Sequence, residues 1–129
     1  MTIYLPSKSK NTSNWIEITN FEPGHFSATS TTKNIGTVAY KKIGDLVFFR
    51  GVIRKTSNAF GEAFTIPSVI APNREINFIL NYASSSSNDY TFDSTSDLDA
   101  WITTGNKLRI NLSSSSNLYV PLSNVCYAL

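Results

Sequence analysis

An acidic segment at residues 89–101 contains the side chains best suited to bind a ligand. Four aspartates recur along residues 89–99 with no basic residue among them. Carboxylates accept hydrogen bonds from hydroxyl groups, and aromatic rings pack against the apolar C–H faces of sugar rings. The pattern therefore indicates a saccharide site, and its candidate residues are Tyr90, Asp93, Asp97, Asp99 and Trp101.

The same segment is also compatible with roles other than saccharide binding. It could be an ordinary solvated acidic loop, and Trp101 beside Ile102 could equally pack in the core. The other tryptophan, Trp15, is predicted to lie in the core. Asp97 and Asp99 lie two residues apart, so both would project to one side of an extended segment. Paired carboxyl groups about 5–10 Å apart are also what glycoside hydrolysis requires. Calcium is a further alternative, but the segment lacks the glycine and terminal glutamate of an EF-hand loop. We therefore predict no cofactor.

Other catalytic chemistry has little support. His25 is the only histidine, which excludes a histidine-rich metal site, and its neighbours predict a surface or loop position. Cys126 is the only cysteine, so an intrachain disulfide is excluded, and its apolar neighbours predict a small buried side chain. There is no glycine-rich phosphate loop and no Gly-x-Ser-x-Gly motif. We expect the chain not to be an enzyme.

The composition is that of a globular domain with an uncharged polar surface. Apolar residues make up 41% and charged residues 16%, beside 18 Ser, 13 Thr and 13 Asn. The net charge of +2, without a basic stripe, disfavours nucleic-acid binding. No apolar run approaches the roughly 20 residues of a membrane span, and no signal-peptide core is present. We expect neither membrane insertion nor nucleic acid as a partner.

Short runs of alternating polarity must position these side chains. In residues 76–82 one face holds Ile76, Phe78, Leu80 and Tyr82, and in residues 107–112 the apolar residues fall on one face, which predicts half-buried antiparallel strands. Residues 1–13 are predicted to be an N-terminal arm or connector, and residues 14–129 a single all-β antiparallel sandwich or barrel. The predicted strands lie near residues 14–20, 36–43, 46–55, 59–66, 75–83, 88–93, 98–103, 107–112 and 117–128.

Residues 40–51 contain the clearest local signal. Gly44-Asp45 separates two apolar runs, and a glycine in first place predicts a type II′ hairpin. The run Leu46–Phe49 is continuously apolar, so we expect both of its faces to be covered, by a second sheet or by another subunit. The serine-rich stretches 84–87 and 113–116 are predicted to be hairpin loops, with a duplicated binding loop as the alternative.

These residues also carry a resemblance to a known family. Trp15-Ile16-Glu17-Ile18 precedes a Tyr-x-Lys-x-Gly-Asp-x-Val hairpin that ends in Arg50-Gly51, and an Ile-Pro with a second proline follows at residues 65–74. A glycine-led strand begins at Gly105. The order is similar to that in C-terminal head domains of tail fibre and baseplate receptor-binding proteins from phages of Gram-positive bacteria.

The resemblance implies a function and an assembly. Such domains are usually homotrimeric β-sandwich or barrel heads that bind cell-surface saccharides, which implies a host cell-wall saccharide as the partner of this chain. The resemblance therefore implies a location at the tail tip of the virion, synthesis in the host cytoplasm, and contacts with other tail or baseplate proteins. Two alternatives stay open: a structural or assembly module without its own ligand, and a saccharide-cleaving depolymerase.

Overall fold

The computed structural model describes residues 14–28, 36–56, 61–83, 96–111 and 118–129. Within these ranges the chain forms short strands and one 3-10 helix, Ser68–Ile70. The strands are β1 (Ile16–Glu17), β2 (His25–Ser27), β3 (Ala39–Ile43), β4 (Leu46–Arg50), β5 (Val52–Lys55), β6 (Gly61–Thr65), β7 (Ile76–Tyr82), β8 (Ser96–Ile102), β9 (Lys107–Asn111), β10 (Leu118–Pro121) and β11 (Cys126–Ala128). In the described ranges no helix is both long and apolar enough to cross a membrane.

The strands form three antiparallel sheets. Two have four strands each, in the orders β1-β3-β4-β11 and β6-β9-β8-β7, and the third has the order β10-β5-β2. Every strand pair among them is antiparallel. The predicted all-β antiparallel fold is therefore confirmed.

The predicted hairpin joins β3 to β4. Ile43 pairs with Leu46, which leaves Gly44 and Asp45 as a two-residue loop. Gly44 has a φ of +59°, whereas Asp45 is not among the residues with positive φ. Only the first central residue is thus left-handed, as in a type II′ turn, and the prediction is confirmed.

Gly51 ends this hairpin and directs the chain into another sheet. Its φ is +98°, a region that favours glycine. Past this residue the amide of Val52 donates to the carbonyl oxygen of Gly36 at 3.0 Å, and β5 pairs with β2 and β10 instead of β3. The prediction of one strand over residues 46–55 was therefore wrong, because Gly51 divides it in two.

Other strand predictions differ from the structure in similar ways. The described residues 118–128 form two strands and not the single strand predicted near 117–128, since a turn closed by the Val125 amide on the Leu122 carbonyl at 2.9 Å separates β10 from β11. Strand β2 is not among the predicted runs. The predicted strand at 88–93 and both serine-rich stretches lie outside the described residues, as do residues 1–13.

The two four-stranded sheets face each other across one hydrophobic core. Phe49 of β4 contacts Phe64 of β6 with ring centroids 5.9 Å apart, and Tyr127 of β11 contacts Phe78 of β7 at 6.5 Å. Each large apolar side chain buried in this layer contributes roughly 1.5–3 kcal/mol. The core therefore fixes which face of each strand points to solvent.

Single bridges join the sheet edges into a nearly closed structure. Ala83, after β7, exchanges hydrogen bonds of 2.8 and 3.0 Å with Tyr119 of β10. Phe21 bridges Phe64 of β6, with the Glu22 amide donating to the Ala63 carbonyl at 2.8 Å. The first bridge links the end of β7 to the three-stranded sheet, and the second links β6 to the segment between β1 and β2.

Candidate functional site

Strand β8 presents three of the predicted site residues on its solvent face. Its burial alternates: Leu98, Ala100 and Ile102 point into the core. Asp97 and Asp99 lie between them and are exposed, and Trp101 is half-buried. The two carboxylates therefore project to one side, as their spacing predicts.

Neighbouring strands complete the surroundings of these side chains. On β7, Asn77 lies opposite Trp101 and Ile79 lies opposite Asp99. On β9, Arg109 lies opposite Trp101. Directly opposed residues on one sheet face have Cβ atoms about 4.5–5.5 Å apart. Amide, apolar, carboxylate, aromatic and cationic groups thus meet on one patch of the sheet.

An open cleft of about 430 Å³ lies on this patch, and we call it the Trp101 cleft. Ile79 is 62% exposed and adds an apolar side chain to the lining. A concave surface that combines apolar groups with a few polar ones is typical of ligand sites. The lining residues are Glu75, Asn77, Phe78, Ile79, Asp99, Ala100 and Trp101.

Trp101 is held by a cation on the side away from the cleft. The guanidinium carbon Cζ of Arg109 lies 5.6 Å from the centroid of the indole ring. Arg109 belongs to β9, whereas the cleft extends over β7 and β8, and Arg109 does not line it. The interaction restrains the ring and leaves its β7 side for a ligand.

The remaining site predictions have separate outcomes. Asp97 shares the solvent face of Asp99 but lies opposite Asn81, beyond the lining of the Trp101 cleft. Tyr90 and Asp93 lie outside the described residues. Neither Asp97 nor Asp99 is buried, whereas a general acid in glycoside hydrolysis is kept protonated by an apolar pocket. In the described part of the chain, no group of three acidic, histidine or cysteine residues could hold a metal ion.

A second cleft, of about 630 Å³, was not predicted from the sequence. Asn73 and Asn106 both line this cleft and both have a positive φ. The Asn106 side-chain amide donates a hydrogen bond of 3.0 Å to the Asn73 side-chain oxygen. The Asn106 side-chain oxygen also accepts from the Asn73 amide at 3.1 Å. Asparagine tolerates a left-handed backbone conformation. The sequence signal for these two turns was therefore an asparagine directly after Pro72 and another directly after Gly105. The lining is uncharged: Asn20, Thr65, Ile66, Pro67, Ser68, Ala71, Asn73, Gly105 and Asn106.

The outer face of the sheet β1-β3-β4-β11 carries a cluster of apolar side chains beside Lys41 and Arg50, and we call this cluster the apolar face. Ile43 and Leu46 oppose each other there and are 54% and 46% exposed. In β4, Val47 and Phe49 point into the core while Leu46 faces away from it, so only one face of this strand is covered within a single chain, and its cover by another subunit stays a prediction. The residues of the apolar face are Ile43, Leu46, Phe48, Cys126 and Ala128.

Two residues next to or on the apolar face also differ from their predictions. Cys126 is exposed and not buried, because Tyr127 beside it takes the inward position on β11. Trp15 was expected in the core, yet its ring lies among cations at the sheet surface. The Arg50 carbon Cζ is 4.5 Å from the ring centroid, and the Lys41 Nζ is 5.8 Å away.

His25 is buried, contrary to the prediction of a surface or loop position. It is 2% exposed and lies opposite Lys55, which is also buried, on β5. Its Nδ1 donates to the Pro23 carbonyl at 3.2 Å, and its Nε2 has no hydrogen-bond partner. Desolvation by burial lowers the pKa of His25 below its ordinary value of 6.5 and also lowers the pKa of Lys55.

This architecture is the fold of phage receptor-binding domains. The receptor-binding protein gp15 of Listeria phage PSA aligns with a TM-score of 0.61 at 16% identity, over 92% of this chain and 67% of its own. The head domain of the lactococcal phage bIL170 aligns with a TM-score of 0.57 at 11% identity, over 90% and 97%. No protein-family model and no curated protein sequence matches the chain. The predicted resemblance is confirmed at the level of the fold.

Proposed function

We propose that this chain is the host-recognition domain of a phage tail, located at the tail tip of the virion, and that it binds a cell-surface saccharide without cleaving it. The observation that carries the proposal is the Trp101 cleft, where an indole and carboxylates line one concave surface. The fold shared with phage receptor-binding domains supports the same function.

The residues of the cleft suit a sugar ring. The C–H face of the ring packs on the β7 side of Trp101, while Asp99 and Asn77 exchange hydrogen bonds with its hydroxyl groups. Asp97, on the same face of β8 as Asp99, extends the contacts to a further sugar unit. Each contact is exposed to water, so we expect weak binding by a single domain. A homotrimer would strengthen it through avidity by a factor of about 10²–10⁴.

The test is binding to host cells by the labelled domain. We expect Trp101→Ala to weaken binding by one domain roughly twofold to tenfold, since an aromatic contact is worth about 0.5–1.5 kcal/mol. Phe26→Ala is the matched control, because Phe26 is 52% exposed on a different sheet. Unchanged binding by the Trp101 variant would remove the cleft from the proposal. No binding by the intact domain to any host strain would remove the proposed function.

The same samples separate binding from hydrolysis. We expect cell-wall polysaccharide incubated with the domain to keep its length distribution, measured by size-exclusion chromatography. If the polysaccharide shortens, and Asp97→Asn abolishes the shortening, the domain is a depolymerase instead.

A second candidate function is assembly through the apolar face. Clusters of exposed apolar side chains mark protein–protein contacts, and this one could serve the homotrimer or a neighbouring tail or baseplate protein. We expect Leu46→Lys to lower the mass found by sedimentation if the face joins copies of this chain. Val69→Lys is the control, because Val69 is exposed away from that sheet.

Cys126 provides a second readout for that face. The thiol is exposed in the single chain, so it should react rapidly with a thiol reagent in a monomer. Slow reaction that becomes fast in Leu46→Lys would support assembly through the apolar face. Fast reaction in a sample of trimeric mass would exclude this face as the interface.

A further inference from the structure

We propose that the Trp101 cleft selects saccharides that carry a positively charged amino group. The inference rests on the proposed function, and it adds the charge of the ligand. Three observations support it. The charged residues that line the cleft are acidic, they lie on both sides of the indole, and the nearby basic residues Lys107 and Arg109 are held by other contacts.

Among the described residues that line the cleft, every charged one is acidic. Glu75 and Asp99 are both exposed at the rim, and no lysine or arginine lines the cleft. Asp97 continues the same row on β8. A ligand in the cleft therefore meets Asp99 of β8 and Glu75, which immediately precedes β7.

These carboxylates lie on both sides of the indole along the strand direction. Asp99 precedes Trp101 by two residues on the same face of β8, while Glu75 precedes Asn77, the residue opposite Trp101, by two positions. An ammonium group bound near the ring would lie between the two acids. The negative face of an indole attracts cations, and bonds between charged groups are roughly twice as strong as neutral ones.

The basic residues of the same sheet face do not neutralise this arrangement. Lys107 is paired with acids of its own, since its Nζ lies 2.6 Å from Glu22 Oε1 and 3.4 Å from Glu62 Oε2. Arg109 stacks on Trp101 from the β9 side. The acids Glu75 and Asp99 thus line the cleft while Arg109 lies on the far side of Trp101, and a phosphate or carboxylate on the ligand would be repelled.

The experiment compares two trisaccharides that differ only in acetylation. Glucosamine trisaccharide carries free amino groups, and the N-acetylglucosamine trisaccharide has the same rings with each amine blocked. Titration followed by NMR at a pH just below neutral gives both dissociation constants. An exposed ion pair contributes about 0.2–1 kcal/mol, so two acids predict roughly twofold to thirtyfold tighter binding of the free amine. Added salt should reduce this preference.

Variants locate the source of the preference. Asp99→Asn and Glu75→Gln should each reduce the ratio of the two dissociation constants while leaving binding of the acetylated sugar nearly unchanged. Asp45→Asn is the matched control, since Asp45 is an exposed carboxylate on the β3–β4 turn. Trp101→Ala should weaken both sugars. A preference that both acid variants retain would overturn the inference.

The outcomes separate this inference from the proposed function. Equal binding of both trisaccharides, lost in Trp101→Ala, overturns the charge preference and leaves saccharide binding intact. If neither trisaccharide binds but host cells do, the cells are treated to acetylate their wall amines: reduced binding supports the inference, and unchanged binding overturns it. Failure to bind sugars or cells removes both proposals.

Discussion

Gly51 and Thr37 approach each other so closely that no side chain fits between them. A Cβ atom on Gly51 would lie 2.3 Å from the carbonyl oxygen of Thr37, and Gly51 also has a φ of +98°. Atoms at that separation overlap, and the obstacle is backbone, which cannot rotate away. The glycine of the Arg50-Gly51 motif is therefore required by the turn that carries the chain between sheets.

Replacement of Gly51 should destabilise the domain more than replacement of other glycines. We expect Gly51→Ala to lower the free energy of unfolding by about 2–3 kcal/mol, from strain at an unfavourable φ and the clash with Thr37. Gly44→Ala should cost about 1–2 kcal/mol, because φ is +59° but space is open. Gly105→Ala should change it by less than about 0.5 kcal/mol. Urea denaturation measures all three, and equal effects would contradict a special requirement for glycine at residue 51.

The stability of the domain should fall as the pH decreases through the ordinary pKa of histidine. Burial lowers the pKa of His25, so the folded state disfavours its protonation while the unfolded state takes up a proton near 6.5. The unfolded state then binds more protons, and unfolding becomes easier as the pH falls. The other charges that act on this ring are those of Lys55, which lies opposite, and of Glu22. Burial lowers the pKa of Lys55 as well, so its protonation also favours the unfolded state.

A variant without the titrating ring isolates this effect. His25→Asn keeps a donor near the Pro23 carbonyl but does not titrate in this range. The free energy of unfolding is measured by urea denaturation on both sides of pH 6.5. We expect a steeper fall with decreasing pH in the parent than in the variant. Parallel curves would show that His25 does not carry the dependence.

The phenol of Tyr127 should stabilise the 3-10 turn beneath it. Its hydroxyl donates to the buried carbonyl oxygen of Ile70 at 2.7 Å, and burial raises the pKa of this phenol, so the donor stays protonated. Tyr127→Phe leaves that carbonyl without its partner, which should cost about 1–2 kcal/mol in thermal or chemical unfolding. Cys126→Ser, at the exposed neighbouring position, should have little effect. If Tyr127→Phe leaves the free energy of unfolding unchanged, the hydrogen bond contributes no stability and water replaces it.

Phe64 should contribute more to stability than any exposed phenylalanine. It is fully buried between Phe21 and Phe49, with ring centroids 5.7 and 5.9 Å away. Phe64→Ala should lower the free energy of unfolding by about 3–5 kcal/mol, as large-to-small changes in cores do. Phe26→Ala, at the surface, should cost less than about 1 kcal/mol. If the two variants lower the free energy of unfolding by similar amounts, Phe64 is not a central residue of the hydrophobic core.

Local signals in the sequence determined strands β7 and β9 and the clearest turn of this protein. Alternation in residues 76–82 and 107–112 follows from the two-residue period of a strand, and Gly44-Asp45 follows from the backbone twist of a hairpin. The same period placed Asp97 and Asp99 on one side of β8. These features need only a residue and its near neighbours, so the sequence is sufficient for them.

Only the tertiary structure decided which surfaces face solvent and which residues meet. The Trp101 cleft joins β8 to Glu75, Asn77 and Ile79 of a segment about twenty residues earlier, and strand pairing creates that proximity. The burial of His25, the exposure of Leu46 and the two clefts likewise depend on how sheets pack against each other. A pattern along one strand contains no information on the neighbours across it, and those neighbours set the charge and shape of the candidate site.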